Sequence, residues 1–138
     1  MTRIPTDSDQ AAPGVVTLAS PHSFESTVQR LISEFRAHGL KIFALIDQQA
    51  EAAAVGIQMW PATLLVFGNA RAGTPLMLAR PVCGIDLPLK AFVSEAVTGK
   101  VLVNLNGADY VVERHSLPSQ LSANLAPAER LAIDALRK

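Results

Sequence analysis

Apolar and polar positions change period several times along the chain, and each change marks an element. Positions 15–19 are rich in β-formers and read as a strand, which Pro21, His22 and Ser23 interrupt. Phe24, Val28, Leu31, Ile32 and Phe35 then recur at helical spacing, with Glu25, Gln29, Arg30, Glu34 and Arg36 on the wet side. Ser23 is suited to cap this helix and Gly39 to end it. Positions 41–46 form a second strand ending at Asp47, and an alanine-rich stretch over 50–55 predicts a short helix closed by Gly56. A third strand, apolar throughout, covers 62–67. A short helix is expected over 75–79, because proline is tolerated at a first helical position; Pro81 and Gly84 end it.

Positions 89–96 and 100–106 read as a hairpin joined by Val97-Thr98-Gly99, with glycine at the left-handed position. That loop sets Ala96 against Lys100, Val93 against Val103 and Ala91 against Leu105, which gathers the valines and Leu105 on one face. Asp109 is expected to cap a short helix running to His115. Beyond Pro118 the pattern is helical, broken near Pro127, with a final amphipathic turn carrying Leu131, Ile133 and Leu136. No internal repeat or low-complexity segment interrupts this order.

The strands are apolar on both sides. Strict alternation puts Ile42, Ala44 and Ile46 on one face of the second strand and Phe43 and Leu45 on the other. Leu64 and Val66 oppose Leu65 and Phe67 on the third, while Phe92 and Leu102 lie outside on the hairpin. A sheet with helices on one face ordinarily keeps its other face polar. Leaving such side chains wet would forfeit roughly 1.5–3 kcal/mol each, so a cover is expected. A second subunit, the short helices folding across, or an apolar ligand pocket would each supply it.

Composition narrows the function classes. The chain has 138 residues, 49% of them hydrophobic, which supports one domain with a substantial core. Residues 13–138 are read as that single α+β domain and residues 1–12 as a flexible tail. Twelve basic residues balance twelve acidic ones, with no basic run, so nothing favours a nucleic-acid partner. Pro5, Asp7, Asp9 and Gln10 break up any export leader, and no apolar stretch reaches the roughly 18 residues of a membrane span. One cysteine, Cys83, excludes an internal disulfide and suits a reducing compartment. A cytoplasmic protein with no membrane partner is expected.

Two segments carry a family resemblance: Phe67-Gly68-Asn69-Ala70-Arg71-Ala72-Gly73-Thr74 and Asp86-Leu87-Pro88-Leu89-Lys90. At this spacing, after a β-α-β start, the chain resembles the bacterial domain of unknown function 302 family, with its FGN-x-x-x-GT and DLP-x-K segments, over about residues 14–117. The resemblance implies a two-layer α+β sandwich, β-α-β4-α in outline, similar in shape to the TATA-binding-protein class. It also implies a homodimer, and no activity. Kinship of shape with a DNA-binding protein carries no functional weight. Relatives often have histidine after the Ile-Asp that ends the second strand. Here Gln48 follows Ile46-Asp47, so no role of that histidine transfers.

The candidate ligand-binding residues are Gly68, Asn69, Arg71, Gly73, Thr74, Asp47 and Asp86. A strand, a glycine loop and a helix starting at Thr74-Pro75 would aim free amides and a helix N-terminus at one spot, favouring an anion, with Arg71 as its charge partner. The spacing approaches a phosphate-binding G-x-x-x-x-G-K-[ST] loop, but Thr74 and Pro75 occupy the lysine and hydroxyl positions, so it is not a nucleotidase loop. The ordinary alternative is a tight turn with Thr74 as N-cap. Asp47 ordinarily caps the alanine-rich helix, and Asp86 fixes a turn; were they to meet they would form an acid–base pair.

His22, His38 and His115 are too far apart for two ligands on one helix face, so no metal site is expected. Cys83 has no activating neighbour and reads as a small buried apolar residue. Trp60-Pro61 serves as a pocket wall or, more ordinarily, a core anchor at a strand entrance. No catalytic motif and no cofactor emerge. The first reading is a binding or structural module, a homodimer with sheets meeting and a small anionic or apolar ligand; the alternative is an enzyme or sensor taking a small anion at residues 68–74.

Overall fold

The computed structural model describes residues 12–138; all but the last residue of the expected N-terminal tail lies outside the described residues. Strand β1 (Val15–Ser20) leads into helix α1 (Phe24–Ala37), whose N-cap Ser23 accepts a hydrogen bond from the Ser26 amide. Strand β2 (Lys41–Asp47) is followed by α2 (Gln48–Ala54), and β3 (Ala62–Gly68) by α3 (Ala70–Ala79). A 3-10 turn, Pro81–Asp86, precedes the hairpin of β4 (Leu89–Glu95) and β5 (Val101–Asn106). Helices α4 (Ala108–Arg114), α5 (Ser122–Leu125) and α6 (Pro127–Arg137) complete the chain.

The five strands form one antiparallel sheet in the order β1-β5-β4-β3-β2. Strands β2 to β5 are thus a meander, and β1 closes the far edge against β5. The hairpin has the expected register: Ala91 faces Leu105, Val93 faces Val103, and Gly99 at φ +87° carries the turn. Helices α1 and α6 cover one face. There Val28, Leu31, Ile32 and Phe35 meet Leu65, Phe67, Ala91, Val93, Val103 and the α6 residues Leu131, Ala132 and Leu136. Phe35 and Phe67 stack at 4.1 Å between centroids, both fully buried. A second cluster joins α3, α4 and α5 through Leu76, Cys83, Val111, Val112, Leu117 and Leu125, and touches the first at Leu89.

Three local expectations are corrected. Helix α3 begins at Ala70 rather than at Thr74-Pro75, so the presumed glycine loop is itself helical and Pro75 lies inside the helix. Asn69, held extended, accepts the Arg71 amide at 2.8 Å and starts the helix early; Pro75 then merely leaves the Arg71 carbonyl without its usual donor. Helix α4 is entered through Gly107, with Asp109 in its first turn rather than at the cap. The Gly107 amide donates to the Gly14 carbonyl at 2.8 Å, and Gly14 sits at φ +76° where a Cβ would stand 2.0 Å from the Tyr110 ring.

The third correction concerns β2. Its register with β3 steps between Ile42 and Ala44, leaving Phe43 as a bulge. One extra residue inverts the two-residue alternation, so Ile42 and Leu45 share the helix-side face with Phe67 and Leu65, while Ala44 and Ile46 face outward beside Val66 and Leu64. On the outer face Ala62 and Leu102 are buried and Phe92 is half-buried within the single chain. The open apolar surface lies instead on edge strand β2, where Phe43 is 47% and Leu45 50% exposed.

Candidate functional site

The α1 C-terminus, the start of β2, the end of β3, the first turns of α3, the segment before β4 and the α5–α6 junction converge at one end of the sheet. They enclose a cavity of about 610 Å³. Its apolar lining includes Leu40, Phe43, Met77, Leu87, Leu125 and Leu131. Polar contributions come from His38, Asn69, Thr74 and Asn124, and no Lys, Arg, Asp or Glu among the described residues lines it. The volume falls within the range common to small-molecule pockets in general.

Three of the four polar wall groups are positioned by a hydrogen bond. Asn69 caps α3 through Oδ1. Asn124 donates from Nδ2 to the Ala72 carbonyl at 3.1 Å, tying α5 to α3. His38, the C-cap of α1, places Nδ1 3.0 Å from the Glu34 carbonyl. Glu34 of α1, expected on the wet side but buried, is itself paired with Lys138 at 2.8 Å.

The sequence candidates divide. Gly68, Asn69, Gly73 and Thr74 line the cavity. Arg71 does not; its side chain is exposed, and its amide is spent on the Asn69 cap. The Ala72 and Gly73 amides likewise donate to the Asn69 carbonyl at 2.9 Å each, which removes the free-amide nest that an anion would need. Asp47 stands at the opposite end of the sheet beside Thr63, where its Oδ1 accepts the Ala50 amide at 2.9 Å and caps α2. Asp47 and Asp86 therefore do not meet.

Asp86 binds Arg114 through both oxygens, at 3.0 and 2.9 Å, and lies 2.6 Å from the Nε2 of buried His115. This clamp joins the 3-10 turn to the end of α4. Sequence reasoning placed Asp86 in a local turn bond, because nothing in the spacing signals partners 28 and 29 residues away. Beside it Cys83 is fully buried, and burial, seconded by the Asp86 carboxylate, pushes its thiol pKa up. Such a thiol is a poor nucleophile. Among the described residues no group of His, Cys, Asp and Glu is placed to hold a metal.

Fold and cavity together define a class: a small two-layer α+β domain with an apolar pocket at the end of its sheet. The chain belongs to the family described as the domain of unknown function DUF302, whose profile matches residues 16–135. In fold it is similar to the crystal structure of an uncharacterized conserved DUF302 protein from Bacillus stearothermophilus. The TM-score is 0.76, over 91% of this chain and 98% of that one, at 16% identity. Among curated proteins it is similar to fluoride-specific ion channel FluC 1 of Brucella suis biovar 1, 36% identical over 104 residues, which are 75% of this chain and 41% of that protein. FluC 2 of Brucella melitensis biotype 1 is also 36% identical over 104 residues, again 75% of this chain but 38% of that protein. The chain thus spans about two-fifths the length of these relatives, and no helix among its described residues is long and apolar enough to cross a membrane.

Proposed function

We propose that this domain is a small-molecule-binding module whose ligand occupies the cavity beside Gly68, Asn69, Gly73 and Thr74, and that it works as a homodimer. The observation that carries the ligand reading is the cavity itself: about 610 Å³ walled by side chains from both layers, with no carboxylate, ammonium or guanidinium among the described residues that line it. An apolar molecule gains there roughly 25 cal/mol for each Å² of its surface removed from water. The alternative, an enzyme or sensor taking a small anion at residues 68–74, draws less support, since the nearby amides are already paired within α3. Relatives named fluoride channels raise a fluoride-linked role, but a strongly hydrated anion meets no lysine or arginine among the described residues of this wall, so fluoride is not the pocket ligand proposed.

Gly73→Leu tests the pocket. A Cβ at position 73 meets only Leu87 Cδ1 at 3.8 Å, ordinary contact, so the larger side chain enters the cavity without disturbing the backbone. With naphthalene as probe, native-state NMR shifts should appear at residues around the cavity and vanish in Gly73→Leu. Shifts of equal size in both proteins would remove the cavity as the site.

The dimer reading rests on β2. Antiparallel approach of two copies about Ala44 would set Lys41 against the partner's Asp47 and Phe43 against the partner's Leu45, opposite charges at the ends and exposed apolar groups between. The bulge at Phe43 keeps such a ladder short, so side chains would supply most of the contact. Light scattering should show a dimer whose dissociation constant rises at least about tenfold in Leu45→Lys, which places two like charges at the seam. A wild-type chain that stays monomeric at every concentration ends this part of the proposal.

A further inference from the structure

The hydrogen bonds that hold the pocket's polar side chains also decide what each has left to offer. Asn69 spends its oxygen on the Arg71 amide, so its Nδ2 group, a pure donor, is the free end. Asn124 uses one Nδ2 hydrogen on the Ala72 carbonyl, which leaves its Oδ1 as an acceptor and a second N–H. Both amides are anchored at the first turn of α3, and both residues line the cavity. His38 adds a third group at the rim. The Glu34 carbonyl can only accept, so Nδ1 carries the proton and Nε2 of the neutral ring is an acceptor. With the Thr74 hydroxyl, which does both, the wall therefore offers uncharged donors and acceptors together, and no lysine, arginine, aspartate or glutamate among the described residues lines it.

We infer that the ligand is a neutral, largely hydrocarbon molecule bearing one group that both accepts and donates, a hydroxyl or a primary amide. Such a head accepts from Asn69 Nδ2 and donates to Asn124 Oδ1 or His38 Nε2, and the apolar body fills the space walled by Phe43, Leu87 and Leu131. A carboxylate or phosphate finds donors there but no countercharge, which an apolar wall penalises. An ammonium likewise carries an unmatched charge into the same wall. The inference deepens the small-molecule reading above and rests on it.

A matched set of probes separates the two: 2-naphthol, 2-naphthamide, 2-naphthoate and naphthalene, titrated by calorimetry against the full chain at pH 8, above the ordinary imidazole range. The neutral heads should bind at least about tenfold more tightly than 2-naphthoate and more tightly than naphthalene. In Asn69→Asp, which keeps an oxygen to cap α3 and exchanges the donor for an acceptor, 2-naphthol and 2-naphthamide should weaken about fivefold or more while naphthalene is unchanged. Circular dichroism confirms that the variant is folded, and Asn124→Leu serves as the parallel test on the acceptor side. Equal affinities across the set, or 2-naphthoate binding best, overturns the head-group assignment but leaves the pocket intact. No binding by any probe overturns both.

Discussion

Phe67→Ala should cost the domain about 4 kcal/mol, the largest loss expected from any single side chain in the sheet. Phe67 is fully buried on the helix-side face of β3 and stacks on Phe35 of α1 at 4.1 Å with an 11° tilt. Its neighbours across the sheet are Ile42 on β2 and Leu89 on β4. Truncation removes the ring's transfer energy and leaves a void under α1 that the packed sheet cannot close. The expected loss is a large part of the 5–15 kcal/mol that ordinarily separates folded from unfolded domains. Urea denaturation followed by circular dichroism measures it, with Phe67→Leu expected to lose less than half as much. A loss under about 1 kcal/mol for the alanine variant would mean that the ring pair does not anchor α1 to the sheet.

Asp86→Ala should be the next most damaging, at about 2–3 kcal/mol. The carboxylate is nearly buried and serves the half-exposed Arg114 and the buried His115 at once. Its removal strands the His115 Nε2 in the second core cluster without a partner and leaves the Arg114 charge unmatched. Arg114→Ala removes only the half-exposed arm and should cost no more than about 1 kcal/mol. The ordering of the two variants carries the test. Were Arg114→Ala the worse, the buried histidine would not be the partner that matters.

Much of the architecture could be read in advance because it is encoded by neighbours in sequence. The α1 stripe from Phe24 to Phe35 and the hairpin register from Ala91–Leu105 to Val93–Val103 follow from period and turn chemistry alone. The errors fall where one local signal competes with another. Pro75 resembles a helix start, yet the Asn69 cap opens α3 ahead of it. A strict two-residue alternation predicts one arrangement of β2, and a single bulged residue at Phe43 inverts it. The site was half legible. The FGN-x-x-x-GT segment pointed to Gly68, Asn69, Gly73 and Thr74, which do line the cavity, but it pointed equally to Arg71, which does not. His38, Asn124 and Leu131 were not read as cavity residues because the cavity is assembled from segments scattered over the chain, and the Asp86–His115 pair was missed because 29 residues separate its members.

The position of β1 in the sheet carries a consequence for biosynthesis. Among the five strands it is the first to be made, yet its neighbour among the described residues is β5, whose last residue is Asn106. Strands β2, β3 and β4 can zip up one after another as they emerge, while Val16 and Leu18 wait for β5 to be synthesised. A nascent chain stalled before Asn106 therefore carries a sticky, unmatched segment ahead of a half-built sheet. Closure comes only when the earliest of the five strands meets the latest.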